Sequence, residues 1–560
     1  MKKLIVATLL AAVQITFAGS KTAPDLPKTA GLNLIEVIVQ FKNLPTKDDL
    51  KQLGPYGQMK QLNIVNGVHL WLPMAIINIL AKLPNIAYIS PVRRVKGALD
   101  ITTQAVNANL AWQYGWTGTG IGIAVIDSGI AARHDLTNSG GVTSRVVYRQ
   151  SFADSQIAAD DYGHGTHVAG IIGSNGLDST GAGFTRTFMG VAPNVNLIDL
   201  RVLESDGTGD EGDVIAAIQT AISLKNTYNI RVINLSLGRP VYESYTVDPL
   251  CQAVEAAWKA GIVVVVAAGN YGRDNSYSTK GYGTIASPGN DPYVITVGAT
   301  NTHGTAATWD DTIASYSSKG PTAIDHIAKP DIVAPGNNVV SVSAGTSSTL
   351  YNTSSRTHVG NAFYESNNAR GDSTSYLRLS GTSMATPVVA GAVALMLQKT
   401  PSLTPDQVKA QIMKTAAKIL PVYSTGTDMV TLASFMNQSD IFSVGAGYLN
   451  ISAALASTDL VRLPAMSPTA VYDSASRKVT IVRDFSVVWG DSVVWGDSVV
   501  WGNVIFNGRL LSGASVVWGD SVVWGDSTTS GFSVVWGDAV NPAAVSLLMA
   551  SSADDGDQEQ

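Results

Sequence analysis

The chain has 560 residues, more than one hydrophobic core organises, so about two to four domains are expected. Charged residues make up 14% and apolar residues 45%, which excludes an intrinsically disordered chain. Lys plus Arg number 37 and Asp plus Glu 43, a net charge of −6 with no long basic block, which argues against nucleic acid as a partner.

The amino terminus has the features of an export signal. Lys2 and Lys3 precede an apolar run over residues 4–13, and the small residues Thr16 and Ala18 predict cleavage after Ala18. The alternative is a membrane anchor, but this run is shorter than the roughly 20 residues that a spanning helix needs. We expect no transmembrane anchor and a mature chain outside the cytoplasm, either released, periplasmic or at the cell surface.

Over residues 36–89, the spacing of apolar residues changes several times between the period of a strand and that of a helix. This pattern predicts a small α+β module. Thr46 is expected to cap the first helix, and Asn66-Gly67 supplies positive φ for a tight hairpin. The element order β-α-β-β-α-β is that of a ferredoxin-like module. The predicted strands and helices cover, in chain order, residues 36–41, 46–53, 61–65, 68–72, 73–83 and 86–89.

Residues 101–457 carry the pattern of an α/β domain. Apolar runs over residues 121–126, 232–235 and 262–267 alternate with helical periods such as residues 250–260. Such runs predict a parallel sheet that helices cover on both faces. In such sheets, functional residues lie at the carboxyl ends of the strands.

The last part of the chain, from about residue 458, contains a repeated hexapeptide. As a continuous strand, each repeat would place its first Val and its Trp on one face; alternatively, each Gly-Asp pair forms a turn. Residues 551–560 are polar and acidic, and we expect them to be unordered. Copies of Ser-Val-Val-Trp-Gly-Asp begin at Ser486, Ser492, Ser515, Ser521 and Ser533, and a sixth copy, from Ser498, ends in Asn503.

Three segments place a reactive side chain among glycines and small residues. Asp127 lies in Val-Ile-Asp-Ser-Gly, His164 in Gly-His-Gly-Thr-His-Val-Ala-Gly, and Ser383 in Ser-Gly-Thr-Ser-Met-Ala-Thr-Pro. Taken singly, each residue is more often structural, as a turn former, a loop histidine or a helix cap. Together, in the order Asp, His, Ser, they match the arrangement of a nucleophilic triad.

These segments resemble the three signature motifs of subtilisin-like serine proteases. Further matching stretches are residues 235–238, 267–270, 329–336 and 445–447, so the resemblance covers the whole central domain. It implies a subtilisin-like α/β catalytic domain and a serine endopeptidase that acts on protein and peptide substrates. We expect a monomer that needs no cofactor for its chemistry.

The resemblance assigns a role to each member of the triad. Ser383 is the nucleophile, His164 takes its proton, and Asp127 orients and stabilises the imidazole. Activity is then expected to fail at acid pH, where the imidazole is protonated. By resemblance, the oxyanion hole is formed by the side-chain amide of Asn270 and the backbone N–H of Ser383, at a helix amino terminus. For Asn270 the alternative is an ordinary turn residue.

The resemblance also places the walls of the primary specificity pocket on two uncharged segments. Because they carry no charge, the pocket should favour apolar residues and cannot anchor Arg or Lys by an ion pair. Ala286 stands where many relatives have glycine at the pocket floor, so large aromatic side chains are expected to fit less well. The wall residues are Ser236, Leu237 and Gly238, and Ala267, Ala268 and Gly269.

Three other features are expected to be structural. His167 follows His164 by three residues, but without a His-Glu-x-x-His pattern helix packing is favoured over zinc binding. Cys251, the single cysteine, excludes an internal disulfide and is expected to be a small buried hydrophobe. The acidic residues within 206–213 do not fit EF-hand spacing and are expected in a solvated loop. The resemblance is consistent with structural calcium sites at surface loops, but it assigns no ligands to them.

The chain is therefore divided into a signal peptide (1–18), a propeptide (19–100), a peptidase domain (101–457) and a β-rich extension with the repeats (458–560). By resemblance, the ferredoxin-like propeptide assists folding and acts as an intramolecular inhibitor. The basic connector over residues 93–99 lies near the expected cut.

Two rival functions remain open. A serine esterase uses similar chemistry, but residues 381–385 lack the Gly-x-Ser-x-Gly motif of that class. The other rival is a surface-associated or self-assembling protein, in which the repeats carry the function and the protease domain serves processing. Unpaired Val-Val-Trp edges could associate, although Asp and Gly interrupt each run.

Overall fold

The structure, a computed structural model, describes most of the chain outside the two termini. The predicted signal peptide, the basic connector and the hexapeptide repeats lie outside the described residues. The chain divides into two compact units, Met1–Lys96 and Gly97–Gln560. The described residues are 21–23, 26, 34–56, 59–62, 65–91, 101–154, 159–276, 278–366, 369–462, 464–473, 478–482, 510–512, 548–549 and 556–558.

In its described residues, the first unit consists of a four-stranded antiparallel sheet and two α-helices. The strand order is β2-β3-β1-β4. Buried side chains of the strands and of the second helix form one apolar core. The element order is the β-α-β-β-α-β order predicted from the sequence. The elements are β1 (Leu34–Phe41), α1 (Lys47–Leu53), β2 (Lys60–Leu62), β3 (Gly67–Pro73), α2 (Met74–Leu80) and β4 (Ile86–Pro91).

The capping and turn residues predicted for this unit lie at or next to the ends of its helices and strands. The Thr46 hydroxyl accepts a hydrogen bond from the Asp49 N–H and the Asp49 carboxylate accepts one from the Thr46 N–H, which together cap α1. Asn66 has a φ of 49°, but Gly67 already belongs to β3. Pro73 precedes α2 as its cap, whereas the sequence placed it in the first turn. The predicted helix, residues 73–83, therefore began one residue too early. It also ended three residues too late, because α2 ends at Leu80.

The second unit is built on a mostly parallel sheet of eight strands. Seven of them lie in the order β12-β11-β10-β9-β5-β7-β6, and β13 pairs with β11. All of these pairs are parallel except β11 with β12. The strands of the second unit are β5 (Gly122–Asp127), β6 (Val146–Ser151), β7 (Asn196–Arg201), β8 (Thr208–Gly209), β9 (Ile230–Leu235), β10 (Val263–Ala267), β11 (Ile295–Asn301), β12 (Thr312–Ile313), β13 (Ile332–Pro335), β14 (Val339–Val342), β15 (His358–Gly360), β16 (Asp372–Leu379), β17 (Tyr423–Thr427), β18 (Ser434–Gln438), β19 (Thr469–Asp473), β20 (Lys478–Val482), β21 (Leu510–Ser512) and β22 (Leu548–Met549).

Helices cover this sheet. Every residue of β5 and β10 is buried, so both faces of the sheet are covered, which confirms the predicted α/β architecture. Among the helices, α5 packs against α10, and α6 packs against α8. The helices of this unit are α3 (Ile101–Ala105), α4 (Ala108–Gln113), α5 (His164–Gly173), α6 (Glu211–Ser223), α7 (Lys225–Tyr228), α8 (Pro249–Lys259), α9 (Thr349–Thr353), α10 (Thr382–Lys399), α11 (Pro405–Thr415) and α12 (Ile451–Ala456).

Part of the carboxyl-terminal extension packs against the remainder of the second unit. Strands β19, β20 and β21 form a small antiparallel sheet, and Ala470 at its start donates a backbone hydrogen bond to the His326 carbonyl. Near the end of the chain, Asp557 is 1% exposed and is hydrogen-bonded to several distant residues. The expectation of an unordered terminus was therefore wrong for Gly556, Asp557 and Gln558.

Gly165, in the first turn of α5, allows this helix to approach the end of β5. A Cβ at this position would lie 2.2 Å from the Gly129 carbonyl oxygen and 3.2 Å from the Asp127 Cβ. Since the nearer contact is with backbone, a side chain could be accommodated only by moving α5 away from the strand end.

We expect Gly165→Ala to lower the free energy of unfolding by about 1–3 kcal/mol, because a methyl group would overpack this contact. The control is Gly212→Ala on the exposed surface of α6, where a Cβ meets no atom within 4 Å. There, alanine should be neutral or stabilise by up to about 1 kcal/mol. Urea unfolding in a Ser383→Ala background, which avoids self-digestion, measures both; equal effects would contradict the close contact.

Candidate active site

The carboxyl edge of the parallel sheet brings the predicted site residues together. Strand β9 lies between β5 and β10, and its Leu235 is level with Ile126 on one side and Val266 on the other. Asp127 ends β5, and Ser236 follows β9 at the same edge. Neighbouring strands are about 4.8 Å apart, so residues at these ends are within a few ångströms of one another.

Asp127 and His164 form a buried hydrogen-bonded pair. The His164 Nδ1 lies 2.7 Å from the Asp127 Oδ1, and neither side chain is exposed to solvent. The N–H of Ser128 also donates to Oδ1, at 2.8 Å. The His164 Nε2 is buried without a hydrogen-bond partner among the described residues. With Nδ1 facing a carboxylate, the neutral ring carries its proton there and presents Nε2 as a base.

His164 is the first residue of α5, and Asp160 fixes where that helix begins. One Asp160 oxygen accepts hydrogen bonds from the Ser128 hydroxyl (2.7 Å) and the Gly163 N–H (2.7 Å). The other accepts from the N–H (2.8 Å) and hydroxyl (2.6 Å) of Thr166. Burial raises the pKa of the Asp160 carboxyl, while these hydrogen bonds oppose that shift. Asp160 was not predicted, although an acidic residue just before a helix was a signal for it.

Ser383 lies in the first turn of α10, against the residue that follows β9. Its hydroxyl donates to the Ser236 carbonyl at 2.9 Å, and the Ser236 hydroxyl donates to the Ser383 carbonyl at 2.9 Å. The structure therefore places Ser383 over the strand next to that of Asp127. Its hydroxyl is turned towards Ser236 and makes no hydrogen bond to His164.

Asn270 is held with its amide nitrogen free. Its Oδ1 accepts hydrogen bonds from the N–H (2.9 Å) and hydroxyl (3.0 Å) of Thr382, directly before Ser383. The Thr382 hydroxyl also accepts from the Gly269 N–H at 3.2 Å. Because Oδ1 is fixed in this way, Nδ2 points away from Thr382 and donates to no described residue. An amide donor and a helix amino terminus thus meet at Ser383.

The segments predicted to line the specificity pocket lie on either side of Ala286. The Ala286 N–H donates to the Ala268 carbonyl at 2.9 Å. The next residue, Ser287, exchanges two backbone hydrogen bonds with Arg239, at 2.8 and 2.9 Å, which ties it to the segment that starts at Ser236. The structure thus brings both predicted walls and the predicted floor together. Their role in binding substrate stays a prediction.

The nearby acidic loop does not form one cluster. Asp206 accepts hydrogen bonds from Thr208, whereas Glu211 pairs with Arg239 at 2.9 Å. Arg239 also pairs with Asp248 at 3.0 Å and lies 3.9 Å from Glu243, so three carboxylates surround this cation beside the pocket segment. Within the described ranges, no group of three or more His, Cys, Asp or Glu side chains could hold a metal ion. The expectation of structural calcium stays untested.

The other two singled-out residues are buried in packed surroundings. The His167 Nε2 lies 3.1 Å from the Val339 carbonyl and 3.2 Å from that of Leu377, and burial lowers the pKa of this imidazole to about 3. Burial raises the pKa of the Cys251 thiol, which lies inside α8. Both residues occupy the structural positions expected from the sequence. In the part of the chain that the structure describes, no helix is long and apolar enough to cross a membrane.

The region that carries this site is similar to known proteins. The sequence model of the subtilase family matches residues 118–447. Serine protease AprX of Bacillus subtilis (strain 168) is 39% identical over 345 residues, which cover 60% of this chain and 71% of that protein. Subtilisin DY of Bacillus licheniformis is 34% identical over 351 residues, 62% of this chain and 96% of that protein. Subtilisin E of Bacillus subtilis (strain 168) is 32% identical over 392 residues, 69% and 84% respectively.

We expect Asp160→Asn to destabilise the protein by about 1–3 kcal/mol, because an amide offers one acceptor oxygen where the carboxylate offers two. It should also lower kcat/KM, since the start of α5 positions His164. Asp154→Asn is the control: its side chain is exposed and makes no hydrogen bond or ion pair with the described residues, so a change of at most about 0.5 kcal/mol is expected. Urea unfolding and peptide hydrolysis measure the two effects. Equal losses in both variants would show that Asp160 does not hold the helix.

A second buried carboxyl, that of Asp199, makes stability depend on pH. It lies on β7, beside β5, where its Oδ2 accepts from the Ile130 N–H at 3.1 Å and lies 3.5 Å from Arg149. Burial raises the pKa of Asp199 from 3.8 to about 7, and the Arg149 charge opposes this shift only in part. Between these values the folded protein binds a proton that the unfolded chain does not bind.

The free energy of unfolding should therefore receive a contribution from Asp199 that falls as pH rises from about 4 to about 7 and then levels off. Asp199→Asn removes this contribution. The Tm of the Ser383→Ala protein should fall more between pH 5 and pH 8 than that of its Asp199→Asn derivative, whereas Asp154→Asn should leave the fall unchanged. Parallel Tm curves for all three would contradict the raised pKa.

Proposed function

The chain belongs to the subtilase family and is a serine endopeptidase, and we propose that it cleaves peptide bonds with Ser383, His164 and Asp127. The observation that carries the assignment is the buried Asp127–His164 hydrogen bond of 2.7 Å at the strand end beside Ser383. A buried carboxylate paired with an imidazole, next to a hydroxyl at a helix amino terminus, is the arrangement that nucleophilic acyl transfer needs.

The proposed reaction begins with rotation of the Ser383 hydroxyl from the Ser236 carbonyl to the His164 Nε2. His164 takes the proton as the Ser383 oxygen attacks the scissile carbonyl carbon, and the carbonyl π electrons move to its oxygen. Asp127 stabilises the resulting imidazolium. The proton then passes to the leaving amine as the C–N bond breaks, which leaves an acyl-enzyme. Water, deprotonated by His164, hydrolyses that ester and restores Ser383.

The negative charge on the carbonyl oxygen is proposed to be stabilised by two donors. One is the Asn270 Nδ2, which is free because Thr382 holds the amide by its oxygen. The other is the backbone N–H of Ser383, where the α10 dipole also favours negative charge. Thr382 acts as a positioning residue, since it fixes the donor without contacting substrate.

An apolar preference at the residue before the cut is proposed from the pocket segments. Ser236, Leu237, Ala267 and Ala268 carry no charge and are buried. The nearest charged residue along the chain is the cation Arg239, which pairs with three carboxylates. The pocket segments themselves offer a substrate Arg or Lys no carboxylate. We propose broad specificity that favours apolar side chains of moderate size.

Synthesis as an exported precursor is a further part of the proposal. The sequence begins with features of an export signal, and the first unit forms a separate compact body with its own core. This unit is proposed to be the propeptide, which the enzyme itself removes by cutting near the basic connector. The mature enzyme would then act outside the cytoplasm.

We expect Asn270→Asp to lower kcat by about 10²–10³, the range known for loss of the corresponding donor in a subtilisin, with little change in KM. Aspartate retains the oxygen that accepts from Thr382 but lacks the donor. Asn275→Asp, in the same loop and exposed, makes the same charge change and should keep kcat within about twofold of the parent. Steady-state hydrolysis of a chromogenic peptide measures both. An unimpaired Asn270→Asp enzyme would exclude this donor.

Ser383→Ala is expected to accumulate as a precursor that retains residues from about 19 to 100, because self-cleavage needs the nucleophile. Intact-mass spectrometry of protein from a host without other extracellular proteases measures this. Added active enzyme should cut the precursor at the connector, which shows that the substitution leaves the cut site accessible. Maturation of Ser383→Ala alone would contradict self-processing.

A further inference from the structure

The last described residues of the chain, Gly556–Gln558, occupy a polar recess on the second unit, here called the terminal slot. Although Asp557 is distant in sequence from the rest of the slot, its side chain is 1% exposed. A carboxylate is buried in this way only where charged and polar partners replace water. The residues that form the terminal slot are Arg273, Ser315, Asn337, Ser380 and Thr427.

The carboxylate of Asp557 is matched by three donors. Its Oδ1 lies 3.0 Å from the Arg273 Nη2 and accepts from the Ser315 hydroxyl at 2.5 Å, and its Oδ2 accepts from the Ser315 N–H at 2.6 Å. Arg273 is itself held by Asp428, at 2.7 Å. A neutral amide in place of this carboxylate would lose the ion pair and would point N–H groups at donors.

The backbone around Asp557 is recognised as well. The Asn337 side chain accepts from the Asp557 N–H at 2.7 Å and donates to its carbonyl at 2.9 Å. The Gln558 N–H donates to the Thr427 carbonyl at 2.8 Å, and the Gly556 carbonyl accepts from the Met429 N–H at 3.1 Å. These main-chain hydrogen bonds resemble the addition of a short strand, which any sequence could make.

The position before Asp557 selects glycine, because the slot leaves no room there for a side chain. A Cβ on Gly556 would lie 2.4 Å from the Ser380 hydroxyl and 3.1 Å from the Asn337 Oδ1. The slot thus requires glycine, then aspartate, and contacts Gln558 through its backbone. Among the described residues 556–558, the contacts therefore impose a Gly-Asp pair.

We infer that the terminal slot is a peptide-binding site selective for Gly-Asp, and that its resident ligand is the chain's own Gly556–Asp557. It attaches residues 556–558 to the rest of the second unit by non-covalent contacts, so the peptide that contains them stays bound if the chain is cut between residues 483 and 555. The same pair ends five of the hexapeptide repeats, which are chemically equivalent ligands. This inference is independent of the proposed catalytic roles. The repeat pairs are Gly490-Asp491, Gly496-Asp497, Gly519-Asp520, Gly525-Asp526 and Gly537-Asp538.

The binding test uses the full-length chain with Ser383→Ala, to prevent digestion, and with Gly556→Ala and Asp557→Asn, to weaken the resident ligand. The aspartates of the five repeat pairs (Asp491, Asp497, Asp520, Asp526 and Asp538) are also replaced by Asn, so that no repeat of the same chain occupies the slot. A fluorescent peptide of residues 553–560 is titrated by anisotropy against the same peptide with Asn at position 557. The natural peptide should bind at least about tenfold more tightly, because only it restores the ion pair. A repeat peptide of residues 515–526 should bind within about tenfold of the natural one.

Failure of the natural peptide to bind, or equal binding of its Asn form, would overturn the site. Failure of the repeat peptide would overturn selectivity for Gly-Asp alone. A second measurement leaves the slot residues unchanged: in the Ser383→Ala chain that also carries the five Asp→Asn substitutions in the repeats, Asp557→Asn should lower Tm, and the free natural peptide should restore it. Asp554→Asn makes the same charge change and should leave Tm unaltered. Equal shifts in the two variants would show a net-charge effect and contradict the slot.

Discussion

The catalytic half of this protein depends on a fully buried hydrogen bond between a carboxylate and an imidazole. Asp127 and His164 can meet only if the end of β5 and the start of α5 approach within side-chain reach. A buried carboxylate without partners is strongly unfavourable, so the fold must supply the imidazole and the Ser128 N–H together. Gly165 permits the approach, and Asp160 determines where the helix begins. The residues around the Asp127–His164 pair thus position its two side chains as well as packing the core.

The architecture could be predicted because its signals are local. Continuous apolar runs identified β5, β9 and β10, and glycine-rich motifs identified the three reactive side chains. The contacts that tune the site were not predictable, because they join residues far apart in sequence. Ser128 and Asp160 are 32 residues apart, and Asn270 and Thr382 are 112 apart. No periodicity encodes such pairs. The pocket segments were placed by resemblance to a family, and the structure brings them together around Ala286.

The carboxyl terminus shows the same limit of sequence reasoning. Its polar, acidic composition is typical of an unordered end, yet Asp557 is bonded to Ser315, 242 residues away. Composition fails here because one ion pair and a few main-chain hydrogen bonds are enough to order three residues. Arg273 follows Asn270 by three positions, and Ser380 precedes Ser383 by three. Two of the five slot residues thus lie on the same two loops that carry the proposed oxyanion donors.

The most direct test of the catalytic assignment is chemical labelling of the nucleophile. The mature protein would be treated with a fluorophosphonate, which reacts with activated serines, and the modified peptide would be identified by mass spectrometry while casein cleavage is followed. We predict one label, on Ser383, with activity lost in proportion to labelling, and much slower labelling in Asp127→Asn. Label on another serine, or full casein cleavage after complete modification of Ser383, would contradict the proposed mechanism.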